Sequence, residues 1–362
     1  MRSFVHESAA VRVVFGAGTL AALAEEAARL GLDRLLVVSS PGQRTLAERA
    51  AAILGPRAAA VHAGAVMHVP RESVGPALDA ASAVGADGYV AIGGGSAIGL
   101  AKALARATGR PIIAVPTTYA GSEMTPIWGQ TEGGVKATGR DERVRPRAVI
   151  YDPELTVSLP PRVAGPSGIN ALAHCVEALY AFDASPITML IAEEGIRALA
   201  AGLPAVIAEP ESVEARGRAL YGAWLAGSAL ASATLGLHHK LCHTLGGSFN
   251  LPHAEVHTVI LPHAAAYNAP AAPEALARAA RALGAPSAPA GIFDLAVALG
   301  APTSLAALGM VEADLDRAAE LATRSPYPNP APLTREGIRR LMDDAFHGRR
   351  PDQADTELRA RS

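Results

Sequence analysis

Six of the 11 histidines in this 362-residue chain lie between His238 and His263. Imidazole is the side chain best suited to hold a metal or to pass a proton near neutral pH. In the run Leu237-His238-His239-Lys240-Leu241-Cys242-His243, His239 and His243 are four residues apart, so a helix stacks them on one face while His238 points about 100° away. Gly246-Gly247 ends that helix, and a loop returns His253. Asn170 and His174 repeat the four-residue spacing in Asn170-Ala171-Leu172-Ala173-His174. One such histidine would be a satisfied core or surface residue. Two polar pairs on otherwise apolar helices are costly to bury without partners, so they are expected to converge on a wet or ligand-filled cleft.

A second set of residues suits phosphate. Gly93-Gly94-Gly95-Ser96 follows the apolar run Gly88 to Ile92 and opens an Ala-rich stretch through Lys102. Residues without Cβ let backbone N–H groups approach a pyrophosphate, and the helix N-terminus adds its dipole. Gly94, Gly95 and Ser96 are therefore expected to bind a dinucleotide. A second loop, Pro116 to Glu123, brings Thr117, Thr118, Tyr119 and Ser122 to the same sheet edge. These hydroxyls could hold phosphate, ribose or the nicotinamide amide; alone, the loop reads as a hydroxyl-capped turn. The first strand ends Val38-Ser39-Ser40-Pro41, where a dinucleotide site usually carries an acid for the ribose hydroxyl. Ser40 stands there instead, which admits NADH or NADPH, and Arg44 is the expected partner of a 2′-phosphate.

These loops need a scaffold. Short β-branched runs at Leu35–Ser39, Ala58–His62, Gly88–Ile92 and Ile112–Pro116 alternate with helical stretches at Thr19–Leu30, Gln43–Leu54, Ser73–Val84 and Ala97–Ala107. That alternation predicts a Rossmann-like α/β domain on a parallel sheet. Phe4 to Phe15 reads as an added β ribbon, and Gly133-Gly134 as a hairpin turn. Beyond Asp152 to Pro161 strand signals nearly vanish, which predicts an all-α second domain: 1–157 binds dinucleotide, and 158–362 is the helical catalytic domain.

The formal charge is −2, with both signs interspersed. Nucleic acid and anionic membranes are therefore poor partners. Ala219 to Leu237 carries no charge, yet its Ala, Gly and Ser content fits a buried helix better than a membrane span. Two cysteines without paired spacing, and an opening MRSFVHES without export features, point to a cytoplasmic protein.

At these residues the chain resembles the iron-containing alcohol dehydrogenase family, and over nearly its whole length that family's maleylacetate reductase branch. The family's phosphate loop resembles Gly93 to Lys102, and its strand-turn motif resembles Pro116 to Glu123. Its Asp-x-x-x-His metal helix resembles Asn170 to His174, and its later histidine ligands fall on His239 and His253. The histidine matching His243 lies near nicotinamide and substrate in that family. Two positions depart from the general pattern: Asn170 replaces the aspartate ligand, and Gly99 replaces an acid in the Gly-rich motif. A neutral amide beside His174, His239 and His253 should hold iron or zinc weakly, so a metal-free site is expected.

The resemblance implies NADH- or NADPH-dependent reduction of the maleylacetate C=C bond to 3-oxoadipate by a homodimer, in aromatic catabolism or a related pathway. His239, His253 or His243 would donate hydrogen bonds or a proton, as cations where charged; Asn170 would orient a histidine or bind a carboxylate. His238, Lys240 and Arg324 are the cations expected to hold the dicarboxylate. The rival readings are a metal-dependent alcohol or polyol dehydrogenase, a dehydroquinate synthase-like lyase and a non-catalytic nucleotide binder.

Overall fold

The structure is a computed structural model that describes residues 4, 6, 9–133 and 135–351. They divide into two compact units. One holds the described residues of 8–159 with 211–220, and the other holds the rest. The division therefore falls at 159/160, two residues beyond the expected boundary, and 211–220 returns to the first unit.

The first unit contains β1 (Arg12–Phe15), α1 (Leu23–Arg29), β2 (Leu35–Val38), α2 (Arg44–Leu54), β3 (Ala58–His62), α3 (Arg71–Ala83), β4 (Gly88–Gly93), α4 (Gly95–Thr108) and β5 (Ile112–Pro116). A hairpin of β6 (Ile127–Glu132) and β7 (Val135–Arg140) follows, then β8 (Ala148–Tyr151). Six strands form one sheet in the order β1-β8-β5-β4-β2-β3, all parallel. The period-two alternation of the strands builds a core on each face. Leu35, Val37, Val90 and Ile92 pack with Leu23, Ala27 and Ala47 on one side. Leu36, Val38, Tyr89 and Ala91 pack with Ala77, Ile98 and Leu104 on the other.

Among the described residues of Phe4 to Phe15, only Arg12–Phe15 is strand, and its ladder runs parallel to Ala148–Tyr151, which makes it an edge of the main sheet rather than part of a ribbon. Val5, Glu7 and Ser8 of that segment lie outside the described residues. The hairpin turns where expected, with Glu132 opposite Val135 and Gly133 at φ 56°; Gly134 lies outside the described residues.

Helices dominate the second unit: α5 (Pro161–Tyr180), α6 (Pro186–Ala208), most of α7 (Val213–Ala231), α8 (Leu237–Phe249), α9 (His253–Asn268), α10 (Pro273–Leu283), α11 (Ala288–Ala298), α12 (Leu315–Thr323) and α13 (Arg335–His347). Leu237, Leu241, Cys242 and Leu245 form the apolar stripe of α8, packing on Val256, Val259 and Ile260 of α9 and on α12 and α13. That stripe leaves His239, Lys240 and His243 on the remaining surface of α8. No described helix is long and apolar enough to cross a membrane.

Candidate active site

In the first unit the strand order reverses between β2 and β4, since β3 lies outside β2 while β5 and β8 follow β4 on the other side. Open parallel sheets bind ligands beyond the carboxyl ends of their strands at such a switch point. Ser40 follows β2, Gly94 to Ser96 follow β4, and Thr117 and Thr118 follow β5, so the structure brings these predicted residues to one sheet edge. Gly93 has φ 142°, and a Cβ there would stand 2.4 Å from Gln43 Oε1. At Gly94 a Cβ would stand 3.0 Å from Thr118 Cγ2, whereas one at Gly95 would meet nothing within 4 Å. Gln43, which the sequence reading missed, donates to Thr117 Oγ1 at 2.7 Å and ties two of the loops together. Arg44 reaches its own helix neighbour, Glu48, at 3.6 Å.

Tyr119 and Ser122 both make contacts within the protein. Tyr119 is fully buried, and its hydroxyl accepts from buried Arg216 at 3.5 Å. Ser122 is engaged by Lys102, whose Nζ donates to Ser122 O and Oγ, Thr125 O and Oγ1, and Ile127 O at 2.7–3.1 Å. Tyr119 is thus an internal support of the loop, while Ser122, half-buried, accepts from Lys102. Burial pulls the Lys102 ammonium down to about 7; the Glu123 charge opposes that shift and Arg145 adds to it. Gly99, the departure within the Gly-rich motif, leaves room for Val69, whose Cγ2 would lie 2.6 Å from a Cβ. Val69 and His68 hold positive φ, 48° and 64°, with their carbonyls anchored by Thr131.

In the second unit the organising group is Glu177, which the sequence reading also missed. It follows Asn170 and His174 at i+7 and i+3 on α5, so the three share a helical face; that spacing was the available signal. Wholly buried, the Glu177 carboxylate accepts the backbone N–H groups of Gly236, His238 and His239 at 3.0–3.3 Å and lies 2.5 Å from His239 Nδ1. It thus supplies from α5 the anionic cap that α8 lacks among its own side chains. Burial pushes the Glu177 carboxyl up to about 7 against the pull of those N–H donors. Burial also pushes His239 down to about 3. The geometry is that of a neutral imidazole donating Nδ1–H to Glu177, with Nε2 left over.

The remaining histidines sort by exposure. His238 is fully buried and shares a 2.9 Å hydrogen bond with His257, a residue not singled out in the sequence. Burial, reinforced by neighbouring imidazoles, holds His238 well below its ordinary pKa. It is therefore not a cation available to a dicarboxylate. His174, stacked 5.0 Å from the His239 ring, is likewise held neutral by burial. Burial thus works against the resting imidazolium that the sequence allowed at His239. His243 is exposed and His253 half-buried, with near-parallel rings 6.3 Å apart. Lys240 is half-buried on the same helix, whereas the Arg324 side chain is 69% exposed and 4.0 Å from Glu320.

Asn170 Oδ1, His174 Nδ1 and His239 Nε2 are buried without hydrogen-bond partners, as expected of atoms that face a ligand. For a divalent ion the donor set does not fit. Among the described His, Cys and acidic residues, the group whose ligand atoms come within 4.8 Å of one another is His238, Cys242 and His257, not His174, His239 and His253. Asn170 brings no charge, and Glu177 is committed to the α8 N-terminus and His239.

Comparisons with known proteins agree with this architecture. Residues 10–153 match the iron-containing alcohol dehydrogenase family, and 165–346 match the C-terminal part of the Fe-containing alcohol dehydrogenase family. A maleylacetate reductase of Burkholderia cepacia is 57% identical, covering 97% of this chain and 100% of that protein. One from Sphingobium indicum is 54% identical, covering 96% and 99%. The crystal structure of maleylacetate reductase from Agrobacterium tumefaciens superposes with a TM-score of 0.94 at 53% identity, covering 97% of this chain and all of that one.

Proposed function

Because this chain belongs to the iron-containing alcohol dehydrogenase family, in its maleylacetate reductase branch, we propose that it reduces the C=C bond of maleylacetate with a nicotinamide cofactor. The end-to-end match to maleylacetate reductases carries this reading. Hydride leaves nicotinamide C4 and adds to the alkene carbon β to the ketone. The π electrons move onto the ketone oxygen as an enolate, and a proton added at the α carbon gives 3-oxoadipate and NAD(P)+.

Gly94, Gly95 and Ser96 take the pyrophosphate at the start of α4, with Ser40, Thr117 and Thr118 beside it. The absence of an acid after β2 supports use of either NADH or NADPH. His243, exposed and stacked on His253, delivers the proton, because water can reprotonate it. His174, neutral with Nδ1 unpartnered, can donate Nδ1–H to the developing oxyanion; His239, whose Nδ1–H is given to Glu177, presents Nε2 beside it as an acceptor, and Asn170 completes that wall with a neutral group. Asn170 in place of an acid also spares a dianionic substrate repulsion. No divalent metal is required. The enzyme works as a homodimer, for which the outer edge of β1 supplies a pairing strand.

Reduction with [4-2H]NADH of the transferring face tests the chemistry. The reading expects one deuterium on the methylene next to the alkene carboxylate. A secondary alcohol labelled at the former ketone carbon would show it to be an alcohol dehydrogenase instead.

A further inference from the structure

The connection between α12 and α13 is anchored firmly. Asn329 and Asn268 exchange side-chain hydrogen bonds at 2.7 and 3.1 Å, and Tyr267 donates to Pro332 O at 2.6 Å. The connection also presses on the start of α8, where a Cβ at Gly236 would stand 2.9 Å from Pro328 O. With the end of α12 it lines a cavity of about 360 Å³ whose wall includes Ser325, Tyr327 and Asn329, within the size range of small-molecule sites.

Tyr327 lines this cavity, and two donors at its ring, its own hydroxyl and the neighbouring Lys240 ammonium, have no acceptor among the described residues. The Tyr327 hydroxyl is buried without a hydrogen-bond partner. Lys240 Nζ lies over the Tyr327 ring, 5.9 Å from its centroid, and forms no ion pair among the described residues. An ammonium on an aromatic face and an unsatisfied hydroxyl on the same ring together need an anion: the ring's electrons steady the cation but leave its N–H groups open, and a buried O–H without an acceptor costs free energy. Burial, with the nearby Glu177 and Tyr267, keeps the Tyr327 hydroxyl in its protonated, donating form. The Glu177 carboxylate does not fill the role, being held by the α8 N-terminus and His239.

We propose that Lys240 and Tyr327 form the subsite for the acetate carboxylate of maleylacetate, an inference that rests on the reductase reading above. The alkene carboxylate is bonded to the carbon that takes the hydride and must lie against the nicotinamide. The acetate carboxylate, two carbons beyond the ketone, is the one free to reach a separate pair of donors. Lys240 is one residue beyond His239 on α8 and three before His243, so the helix that carries the proposed chemistry also sets the register of the substrate.

The test compares maleylacetate with cis-4-oxopent-2-enoate, which lacks the acetate carboxyl, in wild type, Tyr327→Phe and Lys240→Met. The wild type should prefer the diacid. Each variant should raise KM for maleylacetate about tenfold, the loss of one hydrogen bond to a charged group, by more than kcat falls, and the preference over the monoacid should shrink accordingly. Tyr327→Phe removes one oxygen and keeps the ring, so folding is little at stake. Unchanged KM for maleylacetate, or equal losses on both substrates, would overturn the subsite while leaving the reductase reading intact. A wild type that reduces neither compound would overturn both.

Discussion

The carboxylate of Glu177 lies 2.5 Å from His239 Nδ1 and also accepts three backbone N–H groups at the start of α8. One buried acid therefore fixes both the helix and the ring orientation of a histidine at its first turn. Glu177→Gln keeps the shape but offers one accepting oxygen instead of two. It should lower kcat/KM for maleylacetate by about 10–100-fold, the usual cost of losing an orienting partner, and should lower the urea midpoint. Steady-state kinetics and urea titration measure both, and kcat/KM within twofold of wild type would remove Glu177 from the mechanism.

Gly95 separates a structural from a ligand-binding reading of the phosphate loop. A Cβ there meets no protein atom within 4 Å, and Ala suits a helix better than Gly by about 1 kcal/mol. Gly95→Ala should therefore fold at least as well as wild type while binding NADH at least about tenfold more weakly, through a methyl where the pyrophosphate must approach. Fluorescence titration with NADH decides it; unaltered affinity would move the cofactor elsewhere.

Much of this was legible in the sequence. The β-branched runs place β2, β3, β4 and β5 to within about a residue, because strands buried on both faces leave continuous apolar signatures. The Gly-rich turn and the four-residue spacings likewise locate the loops and the histidine helix. What was not legible depends on contacts between distant elements. Periodicity puts His238 off the His239 face but does not say that His257 waits there, and so it reads as a cation. Glu177 looks like an ordinary helical acid until α8 is seen to start on it. Tyr119 has the same type and loop position as a cofactor contact, yet Arg216, 97 residues away, takes its hydroxyl inside. Phe4 to Phe15 has strand composition throughout, but among its described residues only the last four pair as a strand, with β8.

Lys102 supplies a pH signature. Its folded-state value of about 7 lies below the 10.5 of an exposed lysine, so between these values the unfolded chain binds more protons than the folded one. Stability therefore rises with pH across that window, by up to about 1.4 kcal/mol per unit, and the contribution is lost as pH falls through about 7. Urea midpoints at pH 7 and 9 should differ in wild type and converge in Lys102→Met. Equal pH dependence in the two proteins would contradict this.

Asn170 is the position where charge sets the character of the site. Asn170→Asp adds an anionic ligand to His174, His239 and His253, and should raise affinity for zinc or iron while weakening maleylacetate through like-charge repulsion, with KM rising about tenfold. Inductively coupled plasma analysis after loading, together with KM, reads both effects; unchanged values of each would show that the residue faces neither ion nor substrate.

The most direct measurement is NAD(P)H oxidation at 340 nm with maleylacetate, run with each cofactor, on protein stripped with chelator and on untreated protein analysed for metal. Chelator-treated, metal-free enzyme should turn over fully, with one NAD(P)H consumed per maleylacetate. Activity that vanishes on stripping and returns only with stoichiometric iron or zinc would contradict it.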